Sequence, residues 1–463
     1  MHLWRIGGVI SDSIIIINNV KGVIELKAIF NFSDQKIIVV TGKNGVGKTT
    51  LVEAFKLISD IQVFQKSASL NSIRLNSSVS FKLHGYEPFS FSYNPKFEAL
   101  DTKQVFKKKE PVFAELPIPY GDRFQRFSLV AKHDTEIRIN IASSNYQDAD
   151  ELIEFLRKVY LTDKFSNLKV TNIKRQNFYF VLRESDFYIR EDHLSSGEFF
   201  LIQLFRLITS GFELIVIDEL DVSLDAAAQV HLFEAIKPVL DKYDSRLIVM
   251  SHSLAFMSTV DDGALYLLED NSHKITLEQR SFGYVKSFLY GFEGYDRYIL
   301  TEDAVMERFI EYIINDFHMT PYYQHKTIGV GGWNQLKLII EKNDTEKIFT
   351  DSSNVIGIVD GDAYPEISQN YNGQTKILRS SVEDIEKYIF LNREALLTEI
   401  ELPTYLESKN EKKASKAYWK YLTVDKKLTI NHLYQLIIDS QNENTKRLAN
   451  EIRAFLEKDS IEI

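Results

Sequence analysis

The sequence predicts an α/β protein built from two parallel-sheet domains in tandem, and three features predict it. The β-branched run Lys36–Val40 leads through a glycine-rich loop into an amphipathic helix. Strand-like and helix-like segments then alternate from Leu214 to Met250, as a parallel sheet requires, because each crossover returns to the same edge through a helix. A second strand–helix–strand order starts at Arg297, after a stretch, Gly291–Asp296, that lacks periodic apolar residues. At 463 residues the chain is too long for one ordinary core. The expected domains are 1–292, with a strand- and loop-rich insertion at about 67–190, and 293–463 with its closing helices.

Hydrophobic residues make up 44% of the chain and charged ones 26%, proportions of a globular protein rather than a fibrous or disordered one. Cysteine is absent, which excludes disulfide scaffolds, thiolate zinc sites and cysteine nucleophiles. The first residues offer only the short apolar run Ile14–Ile17, between Ser11, Asp12, Asn18 and Asn19. A signal peptide needs a longer apolar stretch after a basic start, and a membrane span needs about 20 apolar residues. A soluble, cytoplasmic protein is therefore expected. The formal charge of −10 decides nothing about nucleic acid, because phosphate contact depends on local clusters of Lys and Arg.

In the first domain, Thr41–Gly47 is the loop, and the helix begins near Lys48 with Leu51, Phe55 and Ile58 on one face. Gly42-Lys43-Asn44-Gly45-Val46-Gly47-Lys48-Thr49 fits the phosphate-binding pattern G-x-x-x-x-G-K-[ST]. The glycines let backbone N–H groups fold around phosphates, Lys48 reaches the β and γ phosphates, Thr49 holds Mg²⁺, and the helix N-terminus adds partial positive charge. ATP with Mg²⁺ is the expected ligand, on Gly42, Asn44, Gly45, Gly47, Lys48, Thr49 and Thr50. From about Ser67 to Asn140, strand-like Val79–Leu83 and Phe89–Tyr93 mix with loops marked by Pro111, Pro117 and Pro119. A helix at Glu151–Tyr160, a hairpin-like pair (Phe178–Leu182, Phe187–Ile189) and an apolar helix at Phe199–Ile208 come next. The apolar strand Leu214–Ile217 ends in Asp218, placed to support Mg²⁺, and Glu219, placed to orient and deprotonate an attacking water. A helix near Ala226–Leu240 and a strand at Leu247–Met250 complete the alternation.

Leu194-Ser195-Ser196-Gly197-Glu198 resembles the signature motif of ABC ATPases, with Ser196 where glycine is usual and Glu198 where glutamine is common. Ser223-Leu224-Asp225 resembles their D-loop, and His252 their switch histidine. In this order the motifs make the first domain resemble an ABC-type P-loop ATPase. The resemblance implies a homodimer in which Ser195 and Gly197 of one subunit close on the γ-phosphate held by the other. It also implies a nucleotide contact for Asp225, and a Mg²⁺-sensing glutamine at Gln62 or Gln65. Only about 145 residues separate phosphate loop and signature, without heptads, which argues against long coiled-coil arms.

In the second domain the strands Arg297–Leu300, Thr327–Val330 and Val355–Val359 alternate with helices near Val305–Ile314 and Trp333–Lys342. Glu302 ends the first strand and Asp360-Gly361-Asp362 the third, so right-handed crossovers bring three carboxylates to one sheet edge. Oxygen ligands of that kind hold hard cations such as Mg²⁺, and two such ions activate water and steady the leaving oxygen of a phosphodiester. The alternative reading is a plain turn at Asp360–Asp362 and a helix-start acid at Glu302.

This glutamate and D-x-D pair, with Gly329-Val330-Gly331-Gly332 between them, resembles the TOPRIM domain. Asp384-Ile385-Glu386-Lys387-Tyr388 is similar to the acidic helix of the OLD family of ATPase–TOPRIM nucleases, and the resemblance covers nearly the whole chain. It implies Glu386 as a further metal ligand, with Glu383 its rival, Mg²⁺ or Mn²⁺ as the cation, and nucleic acid as the substrate. Two departures stand out: Asp303 replaces the usual glycine, and Met306 falls where an acid is usual. Glu307 is adjacent, but a helix rotates each residue by about 100°.

Lys107-Lys108-Lys109 reads as a solvated loop, with contact to phosphate the lesser alternative. The leading expectation is an ATP-regulated, Mg²⁺-dependent nuclease of the kind found in bacterial anti-phage defence. The alternative is an ABC ATPase sensor or scaffold whose degenerate acidic domain docks a partner protein or RNA. A transporter motor is disfavoured, since such subunits do not carry a C-terminal α/β metal domain.

Overall fold

The isoleucine run near the start is a strand, with Ser13, Ile15 and Ile17 buried and Ile14 and Ile16 only half-buried, the period-2 pattern of a sheet. It lies in Asp12–Val20, which pairs antiparallel with Val23–Asn31. The structure is a computed structural model and describes residues 12–67, 72–83, 86–104, 112–116, 126–183, 187–261, 263–271, 274–291, 294–398, 400–407, 410–426 and 428–458. Lys107–Lys109 and Pro111, Pro117 and Pro119 lie outside the described residues.

The chain divides into two compact units, Met1–Phe282 and Gly283–Ile463, a division that precedes the boundary read from composition. Gly283 packs directly on the Asp296 carboxylate, so the helix Phe282–Tyr290 belongs, apart from its first residue, to the second unit.

The first unit is mixed α/β, and its large sheet has eleven strands among the described residues. Five are consecutive parallel neighbours: Leu265–Asn271, Ile37–Gly42, Arg246–Met250, Leu214–Ile217 and Val112–Glu115. The other six form an antiparallel extension, apart from Lys274–Gln279, which runs parallel to Val23–Asn31. The helix Lys48–Lys56 buries Leu51, Val52, Ala54 and Phe55 in the core beneath this sheet. Phe30, Phe55, Phe81, Phe89 and Phe91 form a chain of ring contacts through that core.

A second sheet orders Tyr188–Arg190, Gln176–Leu182, Leu168–Ile173 and Gln147–Asp148. Beside it stand two helices, Arg126–Lys132 and Asp134–Ala142, in a stretch whose sequence suggests strands and loops. Fully buried Glu191 joins the first of them to the helix Ser196–Thr209 by accepting from Arg126 Nε at 3.0 Å and Arg206 at 2.7 Å. A carboxylate so buried is tolerated because both guanidinium partners meet it.

The second unit is a four-stranded parallel sheet in the order His325–Gly329, Arg297–Thr301, Val355–Val359 and Lys376–Arg379. Its central strands are apolar on both faces, as helix-covered parallel strands are. Ile299, Ile356 and Ile358 pack against Met306, Phe309 and Ile313, whereas Leu300, Val355 and Val359 pack against Leu336 and Ile340. The closing helices Glu411–Lys420, Ile430–Ser440 and Asn442–Leu456 cover the first face, and Tyr434 donates to the Val305 carbonyl at 2.8 Å. No helix among the described residues is long and apolar enough to cross a membrane.

Candidate functional site

Ile37–Gly42 is buried along its length and held by parallel neighbours on both sides, so its C-terminal end is a fixed point. The chain leaves it through Gly45 and Gly47 at φ +80° and +106°, a backbone region that only glycine enters without strain. Lys48 Nζ donates to the carbonyls of Gly42 (2.8 Å) and Lys43 (3.0 Å), which holds the ammonium over the loop. Burial lowers its pKa and Asp218 opposes that shift. Asn44 and Gly45 are exposed on the loop, and Thr50 is buried below it.

Leu214–Ile217, two strands across the same sheet, is also buried throughout. Asp218 at its end accepts from Thr49 Oγ1 at 3.1 Å, and its own amide donates to the Glu115 carbonyl at 3.1 Å. Burial pushes the Asp218 carboxyl up to about 6; the Thr49 hydrogen bond opposes this, and Glu219 adds to it. Glu219 takes φ +52°, a conformation uncommon for a side-chain-bearing residue and concentrated at functional sites. His252 comes just after the strand between these two; desolvation and the charge of Lys48 hold its imidazole below the ordinary range, with Asp221 opposing. Lys48, Thr49, Asp218, Glu219 and His252 therefore collect at the C-terminal ends of three neighbouring parallel strands, where α/β sheets bind ligands.

Ser195 and Gly197 lie elsewhere, in a cavity of about 420 Å³ shared with Tyr160, Lys164, Ser223 and Asp225. Ser195 is the N-cap of the helix Ser196–Thr209, and with Glu198 it forms a reciprocal capping box, so this motif is a helix start as well as a candidate contact. Burial favours the neutral form of Glu198, but Lys164 and the Ser195 amide outweigh it and lower the carboxyl's pKa. Glu198→Ala removes both the cap and the Lys164 partner and is expected to cost about 1–2 kcal/mol, read as a lower unfolding midpoint of the full chain. Asp225 caps its own helix through the Ala228 amide at 2.8 Å. Gln62 and Gln65 are both exposed, and Gln65 donates to the Glu98 carbonyl at 2.9 Å.

In the second unit, Glu302 and Asp360 leave adjacent parallel strands, and the Asp360 amide donates to Glu302 Oε1 at 2.9 Å. The Glu302 carbonyl accepts from both Gly331 (2.7 Å) and Gly332 (2.6 Å), so the glycine turn packs against the acidic edge. Burial drives the Asp360 carboxyl up to about 9, with Glu302, Asp384, Asp303 and Asp362 adding to the rise. Glu302 is raised by burial first and by neighbouring carboxylates second, and Asp362, open to solvent on one side, by partial desolvation and then by Asp384. Asp360 Oδ1 is buried and accepts no hydrogen bond.

The expected ligand set of Glu302, Asp360, Asp362 and Glu386 is brought to one edge but not drawn around one point. Among the described residues, no three His, Asp or Glu side chains form a group able to hold a metal ion as they stand. The reasons are local. Glu302 turns to the Asp360 amide, Asp362 is exposed, and Glu386 faces Lys416 at 3.8 Å. Mutually repelling carboxylates take such donors wherever they find them.

The departures in the sequence also have physical explanations. Asp303 caps the helix Ala304–Asp316 by accepting from the Val305 and Met306 amides, Met306 is buried in the core, and Glu307 accepts from the Gly329 amide at 2.9 Å. Met306 brings no carboxylate, Glu307 is committed to the Gly329 amide, and the Asp303 charge still bears on Glu302 and Asp360. The sequence pattern favours Glu386 and passes over Asp384, whose charge bears on both Asp360 and Asp362. The signal for Asp384 is a capping aspartate before an apolar helix.

No protein-family model matches the chain, and no curated protein matches it. Among solved structures it is similar to the Smc head bound to the C-winged helix domain of ScpA, at 13% identity and TM-score 0.39, over 57% of this chain and 95% of that one. The SMC head domain from Thermotoga maritima gives 15% identity and TM-score 0.34, over 57% and 97%. The Smc head with an extended coiled coil bound to the C-terminal domain of ScpA, derived from Pyrococcus furiosus, gives 12% and 0.36, over 59% and 97%.

Proposed function

We propose that the chain is an ABC-class ATPase whose second unit cuts nucleic acid with the help of divalent cations. The observation that carries this reading is the gathering of Lys48, Thr49, Asp218, Glu219 and His252 at one sheet edge, with Thr49 and Asp218 3.1 Å apart. Those two would hold the Mg²⁺ of the nucleotide, Lys48 its terminal phosphates, and Glu219 the attacking water. His252 stands by for the γ-phosphate. Ser195, Gly197 and Asp225 would serve the nucleotide of a second copy, so the working form is a homodimer joined through its first units.

Support for the nuclease comes from Asp360. A buried carboxylate oxygen without a hydrogen bond, ringed by like charges, fits a hard cation, which would be held by Asp360 and Glu302 with Asp362 moving inward. A bound Mg²⁺ or Mn²⁺ would supply Lewis-acid activation of a phosphodiester. The chain's own contribution is to fix two of those carboxylates on adjacent strands. A role in anti-phage defence is proposed from the OLD-type domain order.

Met306 and Glu307 favour a second reading. With the first in the core and the second committed to the Gly329 amide, the acidic unit is short of one ligand and would instead dock a partner protein or RNA under control of the ATPase. The test is incubation of plasmid or RNA with ATP and Mg²⁺ or Mn²⁺, comparing wild type with Asp360→Ala. Cutting by the wild type alone is expected; equal products from both end the nuclease reading.

A further inference from the structure

Beside the acidic edge the second unit opens a cleft of about 620 Å³, within the roughly 300–1,000 Å³ range of ligand sites. Its walls are the strand Lys376–Arg379, the loop Ser380–Asp384, the start of the helix Ile385–Leu391 and the helix Asn442–Leu456. The cleft is joined to the acidic turn by the backbone. Gly361 and Asp362 donate to the carbonyls of Val382 (3.0 Å) and Glu383 (3.2 Å). The approach is so close that a Cβ on Gly361 would lie 2.8 Å from the Val382 carbonyl. The wall of the cleft is therefore fixed to the turn that carries Asp360 and Asp362.

The charges of the cleft are unevenly matched. Lys376 pairs with Glu451 and Lys387 with Glu411, Asp384 caps its helix, and Glu383 is exposed at the end of the wall beside Asp362 and Lys387. Arg379 and Arg447 are exposed in the wall and have no ion-pair or hydrogen-bond partner among the described residues. Unpaired guanidiniums present planar donor forks that suit phosphate oxygens. Tyr388 lines the same wall with Leu391, which is 52% exposed, and such surfaces take the flat apolar faces of bases.

We infer that this cleft binds a short stretch of single-stranded nucleic acid, its phosphates on Arg379 and Arg447, and leads it to the Asp360–Asp362 turn. The inference rests on the nuclease reading and names the strand form that the site accepts. Paired bases are not free to stack against Tyr388 and Leu391, so a duplex does not fill the cleft.

Binding is measured by fluorescence anisotropy with labelled ten-nucleotide oligo(dT) and oligo(U) and a duplex of equal length, in EDTA so that cutting plays no part. Single strands are expected to bind at least about tenfold more tightly than the duplex. Arg379→Ala with Arg447→Ala should weaken single-strand binding at least about tenfold and reduce the salt slope by roughly one to two. Both residues are exposed, so an unchanged thermal transition should verify folding; Arg447→Ala alone should give an intermediate loss. Equal affinity of wild type and double variant, or a duplex bound as tightly as a single strand, overturns the cleft assignment whatever the cutting assay shows. Failure of cutting with binding intact overturns the nuclease reading and leaves the cleft.

Discussion

Lys48→Ala is expected to lower ATP turnover at least about a hundredfold, a loss of roughly 2.7 kcal/mol or more in transition-state stabilisation. The size comes from where the ammonium sits. Two loop carbonyls at 2.8 and 3.0 Å hold it over the glycine-rich loop, so little reorganisation would be needed if phosphate oxygens replaced them. Burial makes its charge costly there and lowers its pKa, a cost that a bound polyphosphate would offset. Alanine removes the charge while leaving Gly45 and Gly47 to shape the loop. Phosphate release at saturating ATP gives the rate, and a fluorescent ATP analogue gives the affinity. A variant that keeps more than half of the wild-type turnover would remove Lys48, and with it this loop, from the chemistry.

Asp360→Asn should have two opposite effects: cation-dependent cutting falls at least about a hundredfold, while the cation-free protein becomes more stable by about 1–3 kcal/mol. Both come from one cause. The carboxyl is buried among Glu302, Asp384, Asp303 and Asp362, which lifts it to about 9, and it spends no oxygen on a structural partner at Oδ1. Its sign in linkage is that of a raised acid. The folded state keeps a proton that the unfolded chain releases near 3.9, so wild-type stability declines as pH climbs between about 4 and the folded value of about 9. Asparagine cannot titrate, so the decline should flatten in the variant. Thermal unfolding in EDTA across that range, paired with a gel assay for cutting, reads both effects. A variant less stable than wild type at neutral pH would mean that the carboxylate is structural.

Much of this was legible because the signals are local. The strand, loop and helix around Lys48 are specified by a β-branched run, glycines and helical apolar spacing within some twenty residues of chain, roughly the reach of such pattern rules. The strand ending in Asp218 and Glu219 is equally plain, since four consecutive apolar residues buried on both faces read directly as a central parallel strand. Elements whose cues come from distant partners are harder to see. The helices Arg126–Lys132 and Asp134–Ala142 bury Val130 and Ile137 respectively, too little periodicity to betray a helix. The edge strand Lys376–Arg379 has only four residues.

The residues by themselves determined which chemical groups exist and at which strand ends they emerge: a glycine-rich loop leading to Lys48, an acidic strand end, and Glu302 and Asp360 on a common parallel edge. Only the tertiary structure decided what those groups do with their remaining valences. It turned Glu302 to the Asp360 amide, tied Glu307 to Gly329, sank Met306 in the core and left Arg379 and Arg447 open in a cleft. Strand ends are set by hydrophobic period, which is written along the chain, whereas the direction of a charged side chain is set by the donors and like charges that folding brings within a few ångströms of it.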